Sequence, residues 1–271
     1  MAFTTTQPSA GQLDLTTGVR LHHRVQGDPD GDVIVMVHGW PDSGYSFSRV
    51  LAMLPPRYRA VALDLRGFGR SDRPATGYAV DDFAVDVLAA LDELGVSQAT
   101  IIGHSMGSFV ARRAAQLDPK RVGNLVLIGS ATTGANDVTR EVAELIADLP
   151  DPVPVEFARE FQASTVHVRL PDPFFDGLIA ESAAAPAHVW RRAFEGLMAY
   201  NDTADLARMT APTLLVWGAH DGLFDRAEQE QLVALIPDVR LLTYPDAGHC
   251  PNWERPQRLV ADVVAFLESR M

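Results

Sequence analysis

Only one cysteine, Cys250, occurs among the 271 residues. No internal disulfide framework can hold the chain, which suits a reducing compartment. Basic residues are scarce as well: 23 Lys and Arg stand against 35 Asp and Glu, a formal charge of −12. That balance argues against nucleic acid or an anionic membrane surface as a partner. No apolar run approaches the ~20 residues of a membrane span. The stretch Met1–Leu13 has neither a basic segment nor an apolar core, so no secretory leader is expected and a cytoplasmic location is. H-E-x-x-H, C-x-x-C and G-x-x-x-x-G-K are all missing, and no metal or other cofactor is expected. The expected partner is a small-molecule substrate, with a homodimer as the one assembly considered.

What is present is an alternation of apolar runs and amphipathic stretches. Gly11–Leu15 and Val19–Gln26 read as an opening strand pair, joined at Thr17-Gly18. Val33–His38, Ala60–Leu65, the run ending at Gly103, Asn124–Ile128, Thr213–Gly218 and Arg240–Tyr244 read as strands. Several are continuously apolar, as strands covered on both faces are. Between them the spacing predicts helices over Tyr45–Leu54, Val80–Leu94, Ser108–Leu117, Ala227–Leu235 and Pro256–Ser269. The second of these carries Val80, Phe83, Val87, Leu91 and Leu94 on one stripe and closes at Gly95. Strands alternating with helices imply a mostly parallel, eight-stranded sheet with helices on both faces.

The alternation breaks after Ser130. Residues 131–209 show no convincing strand, only helical stretches at Val138–Leu149, Val155–Ser164, Phe174–Ala184 and Ala187–Tyr200 set off by prolines. These residues are expected to form a helical cap inserted into a core made of 1–130 and 210–271.

One stretch carries chemistry. Gly103-His104-Ser105-Met106-Gly107 follows an apolar strand and runs directly into a helix, the setting in which G-x-S-x-G makes a nucleophile elbow. The turn is sharp enough to strain the central residue, and the two glycines let strand and helix pass closely. A serine hydroxyl needs a base, and the base an orienting acid. Both belong where loops leave the carboxyl ends of later strands. His249 follows the last strand, and Asp221 follows the strand before it. Asp225 and Asp246 compete for the acid role, but one lies towards a helix and the other too near His249 in sequence. His22, His23, His104 and His220 read as structural or surface residues. An oxyanion hole needs two preorganised N–H groups. Met106, after the nucleophile, supplies one. The other comes from Trp40 in the loop His38-Gly39-Trp40-Pro41, where Gly39 allows an unusual backbone angle.

These motifs, with Asp64-Leu65-Arg66-Gly67-Phe68-Gly69-Arg70-Ser71, Gly218-Ala219-His220-Asp221 and Gly248-His249-Cys250-Pro251-Asn252-Trp253-Glu254-Arg255-Pro256, resemble those of the α/β-hydrolase superfamily with a helical cap. The resemblance implies an α/β-hydrolase fold and the order Ser, Asp, His along the chain. Its H-G-x-P loop is similar to that of epoxide hydrolases and haloalkane dehalogenases, yet those place aspartate where Ser105 stands. C–C hydrolases and cofactor-free haloperoxidases or perhydrolases usually show S-M-G-G, and this chain reads Ser105-Met106-Gly107-Ser108. The resemblance therefore implies a serine esterase or lactonase working through an acyl-enzyme. Alternatives are a C–C hydrolase, a perhydrolase, an epoxide hydrolase or a small-molecule receptor that keeps the triad. An apolar pocket is expected from Trp40, Phe161, Trp190, Phe194, Leu197 and Tyr200. Cys250 is expected to pack.

Overall fold

The computed structural model describes residues 9–270. Most of the stretch examined for a leader therefore lies outside the described residues. The eight expected strands form one sheet: β1 (Ser9–Asp14), β2 (Arg20–Gln26), β3 (Asp32–Val37), β4 (Tyr58–Leu63), β5 (Ala99–His104), β6 (Val122–Ile128), β7 (Thr213–Gly218) and β8 (Val239–Tyr244). Their order across the sheet is β1-β2-β4-β3-β5-β6-β7-β8. β1 and β2 pair antiparallel, β2 meets β4 antiparallel, and every later pairing is parallel.

Strand periodicity divides the core between the two faces. Val35, Val37, Val61, Leu63, Ile101, Leu125, Leu127 and Leu215 point into one cluster. Their sequence neighbours Ile34, Met36, Ala60, Ala62, Ile102, Val126, Ile128 and Leu214 point into the other. A sheet buried on both sides has no room for polar alternation, which is why these strands read as unbroken apolar runs.

The first face is covered by α2 (Val80–Glu93) and α3 (Met106–Leu117), the second by α1 (Ser48–Leu51) and α10 (Pro256–Glu268). On α2, Val80, Phe83, Val87 and Leu91 are buried as the stripe requires. The helix expected at Tyr45–Leu54 is much shorter. Gly44–Phe47 forms a 3-10 turn, begun by the Ser43 hydroxyl accepting the Tyr45 amide, and only one α-helical turn follows.

Between β6 and β7 the described chain contains α4 (Asp137–Ile146), α5 (Val155–Ser164), α6 (Asp172–Ala184) and α7 (Ala187–Ala199). A single bridge, Thr133 to Asn201, joins the two ends of this excursion. The helices rest on the loops at the carboxyl ends of the strands: the Trp40 indole N–H donates to the Trp190 carbonyl at 2.9 Å, and the Arg192 guanidinium donates to the Ala75 carbonyl. Two short helical elements complete the later half: α8 (Arg226–Leu235), which begins at an Asp225 cap, and α9 (Pro251–Glu254), just before α10. No helix of the described residues is long and apolar enough to cross a membrane.

Candidate active site

Ser105 stands between β5 and α3 at φ 51°, ψ −122°, the one described non-glycine residue with positive φ. The turn is held from both sides. The Ser105 amide donates to the Ile128 carbonyl at 2.9 Å, and its carbonyl accepts the Ser108 hydroxyl at 2.6 Å. Both flanking glycines are there for space. A Cβ on Gly103 would lie 2.2 Å from the Gly107 carbonyl oxygen, and one on Gly107 would lie 2.1 Å from that of Val37. The close crossing of strand and helix exposes the hydroxyl above the sheet while leaving Ser105 only 8% accessible.

Gly39 is different from what its sequence position suggests. Its φ is not positive. A Cβ there would press within 3.0 Å of Ser105 Cβ and of His104 Nδ1. Close approach to the elbow, not an unusual backbone angle, is what excludes a side chain. The loop continues through Trp40, whose ring meets Phe161, Trp190 and Phe194 at 4.4–5.0 Å between centroids.

His249 lies in the loop after β8, and its Nδ1 is 2.9 Å from Asp221 Oδ2. A carboxylate only accepts, so Nδ1 carries the proton and Nε2 presents a lone pair. That Nε2 is buried and makes no hydrogen bond within the described residues. Asp221 is fixed in turn by the amides of Leu223 and Phe224 on Oδ1, at 2.8 and 3.1 Å. Asp225 is occupied capping α8, and Asp246 pairs with Arg255 at 2.5 Å. Neither touches the imidazole. Of the other histidines, His22 pairs with buried Asp64 at 2.9 Å, and His220 stacks on His167 with centroids 3.6 Å apart.

Ser105, His249, Trp40, Phe161, Phe194 and Leu197 line one cavity. Trp190 and Tyr200 do not, which corrects two of the expected pocket positions. Trp190 is fully buried behind Trp40, its indole N–H donating to the Ser182 carbonyl. Tyr200 turns away towards Phe109, its hydroxyl donating to the Gln116 side chain at 3.3 Å. Trp190 has the right helical spacing, but a helix presents one face to the cavity and another to its neighbours; Tyr200 follows the end of α7 in extended conformation, so the helical spacing does not carry through it. Cys250 also borders the space; its buried thiol lies 3.4 Å from the Thr165 hydroxyl, and burial pushes its pKa well up. A thiol so held is protonated and unreactive. The cavity is narrow, about 30 Å³, room for about two water molecules.

Sequence reasoning missed Asp42 and Gln162, which share this cavity. Asp42 is 2% exposed, and burial pushes its carboxyl up to about 7. His104, read as structural, is indeed buried. Its Nε2 donates to the His249 carbonyl at 3.2 Å, and burial holds it well below the usual imidazole range.

The architecture agrees with what comparison with known proteins finds. A family model described as the alpha/beta hydrolase fold matches residues 32–256. The chain is similar to a non-heme chloroperoxidase of Streptomyces lividans, 30% identical with 96% of this chain and 100% of that one covered. It is similar also to 2-hydroxy-6-oxononadienedioate/2-hydroxy-6-oxononatrienedioate hydrolase 2 of Pseudomonas putida, 29% identical over 95% of this chain and 93% of that one. Among solved structures, the esterase RhEst1 from Rhodococcus sp. ECU1013 superposes with a TM-score of 0.85 at 27% identity, covering 96% and 99% of the two chains. With the family pattern running through most of its length on an eight-stranded, mostly parallel sheet, this chain belongs to the α/β-hydrolase fold family.

Proposed function

We propose that this hydrolase-family protein is a serine esterase or lactonase acting on a small to medium, largely apolar substrate. The observation that carries the reading is a convergence on one cavity. A serine held at positive φ and a histidine whose Nδ1 is engaged by a fixed carboxylate both open onto it. In this reading Ser105 attacks the substrate carbonyl while His249 Nε2 takes its proton, and Asp221 keeps the imidazole in the tautomer that permits this. The amides of Trp40 and Met106 receive the oxyanion; neither donates to an acceptor among the described residues, so both are free for that role. His249 returns the proton to the leaving alcohol, then activates the water that releases the acid.

We further propose that α4–α7 act as the cap over this site. A 30 Å³ cavity is far smaller than a bound ester occupies, so substrate entry requires these helices or their loops to shift. Apolar walls from Phe161, Phe194 and Leu197 favour short acyl chains.

Hydrolysis of a panel of p-nitrophenyl esters and lactones by the wild type and Ser105→Ala tests the reading. Turnover is expected to fall by at least about 10³-fold in the variant. A wild type inert on the whole panel would remove the esterase assignment and favour the alternatives of C–C cleavage or perhydrolysis.

A further inference from the structure

Among the described residues, buried carboxylates are well supplied with donors, with one exception. Asp64 receives the Gly44 and Arg70 amides and His22. Asp86 receives the Thr17 hydroxyl and two donors of Arg66. Asp202 receives Arg112 and Gln116, and Glu254 receives three backbone amides. Asp42 receives a single side-chain donor, the neutral amide of Gln162, at 2.8 Å on Oδ1. A carboxylate has about four acceptor sites, and leaving them empty in a buried place is costly.

The other oxygen finds no donor in the neighbouring histidine. His104 Nδ1 is 3.9 Å from Asp42 Oδ2, too long for a hydrogen bond. It is also buried and without a partner. Since His104 Nε2 donates to a carbonyl and burial keeps the ring neutral, Nδ1 carries a lone pair and no proton. Above about pH 7, where the Asp42 carboxyl is ionised, two acceptors thus face each other across a gap, and both residues line the cavity that holds Ser105 and His249. Nothing in the proposed reaction uses either atom. Gln162 is itself anchored, its amide also donating to Ser182 at 2.7 Å, so it offers Oδ2 no further donor.

We propose that Asp42, backed by His104, is a recognition site for a hydrogen-bond donor on the substrate, an alcohol O–H or an amine N–H, set in an otherwise apolar acyl pocket. The inference deepens the ester-hydrolase reading and rests on it for the bond that is cleaved. It selects hydroxy- or amino-substituted esters over plain alkyl esters. The raised carboxyl pKa fits a group waiting for donors: binding a donor stabilises the ionised form and draws the pKa back down.

The test compares ethyl butanoate with its 2-, 3- and 4-hydroxy and 3-amino derivatives by pH-stat, using wild type, Asp42→Asn and Asp42→Leu. Asn preserves the side-chain shape and an acceptor for Gln162 while losing the charge, which guards against misfolding of the Leu variant. Wild type is expected to prefer at least one substituted ester in kcat/KM, and this ratio should fall about 10- to 100-fold in both variants. Preference for the amino ester would identify a cation as the ligand, and preference for a hydroxy ester an alcohol. A ratio near one in the wild type, or the same ratio in all three proteins with rates lowered alike, would overturn the proposal and leave Asp42 a packing residue. A wild type that hydrolyses none of the esters would instead count against the esterase reading. The Asp42 proposal is then decided by ligand-observed NMR on Ser105→Ala, in which 4-hydroxybutan-2-one should bind at least about tenfold tighter than butan-2-one and equal affinity would end it.

Discussion

Glu254 grips the residue before His249: its Oε1 accepts the Gly248 amide at 2.7 Å. Its Oε2 accepts the amides of His167 and Val168 at 2.8 and 2.9 Å. One buried carboxylate thereby ties the loop carrying His249 to the segment between α5 and α6. A second tie runs beside it, from the His249 amide to the Thr165 carbonyl at 2.9 Å. In Glu254→Ala three N–H groups lose their acceptor, the Gly248 amide buried and the other two part-buried, and an unmet buried group costs about 1–3 kcal/mol. Because the site can partly relax, the expected loss is about 2–5 kcal/mol in urea unfolding. Ester turnover should fall about tenfold or more as His249 drifts. Full stability in the variant would show that water replaces the carboxylate without cost.

Strain at the elbow makes a separate prediction. Ser105 holds φ 51°, a conformation costing a non-glycine residue about 1–3 kcal/mol. Ser105→Gly removes that cost against about 0.5–1 kcal/mol of added chain entropy. The variant should be inactive and about 1 kcal/mol more stable, raising Tm by about 2–4 °C. Ser105→Ala keeps the Cβ and should show no such gain. Equal calorimetric midpoints for the two variants would mean that the turn is not strained.

Much of this was legible in the sequence because periodicity and chain order report backbone topology. All eight strands lie within a few residues of their expected places, as the alternation of Ile34, Val35, Met36 and Val37 between the two faces explains. Ser105, Asp221 and His249 could be picked out as candidates because each sits where a strand ends. What stayed hidden depends on which way a side chain turns once helices pack. Trp190 shares the helical spacing of Phe194 and Leu197 yet faces another neighbour, and Tyr200 lies just past the end of that helix. Asp42 could not be singled out because its isolation from donors is a property of the folded interior, as is the space that Gly39 leaves for His104.

Arg112 is another such case. It lies fully buried in α3 and donates to the Ala131 carbonyl at 2.7 Å and to Asp202 at 2.8 Å. It thus pins both ends of the α4–α7 excursion to the helix that follows Ser105. Arg112→Met strands the Asp202 carboxylate and should cost about 3–5 kcal/mol. Asp202→Asn, which still accepts from Gln116, should be milder, and the double variant should recover part of the loss. Purely additive losses in this cycle would show that the pair is not coupled.

Asp42 and His38 pull the pH dependence of stability in opposite directions. Burial raises the Asp42 carboxyl from 3.8 to about 7. Between those values the folded protein keeps a proton that the unfolded chain has lost, so this group lowers stability as pH rises. Its surroundings are the Gln162 amide, the neutral His104 ring, the protonated Cys250 thiol and the more distant His249. His38 behaves the other way. Its Nε2 accepts the Leu65 amide at 3.0 Å, Nδ1 donates to the Gly39 carbonyl at 2.7 Å, and burial lowers it from 6.5 to about 4. There the unfolded chain takes the proton first, so stability falls as pH drops from 6.5 towards 4. Relative to wild type, Asp42→Asn should gain stability steadily from about pH 4 to pH 7 and then level off. His38→Gln, which can keep the Leu65 contact, should lose less than wild type on acidification. Urea midpoints at pH 4.5, 5.5, 6.5 and 7.5 read both. A difference between Asp42→Asn and wild type that does not change with pH would mean that Asp42 stays ionised in the folded protein throughout, held by donors other than Gln162.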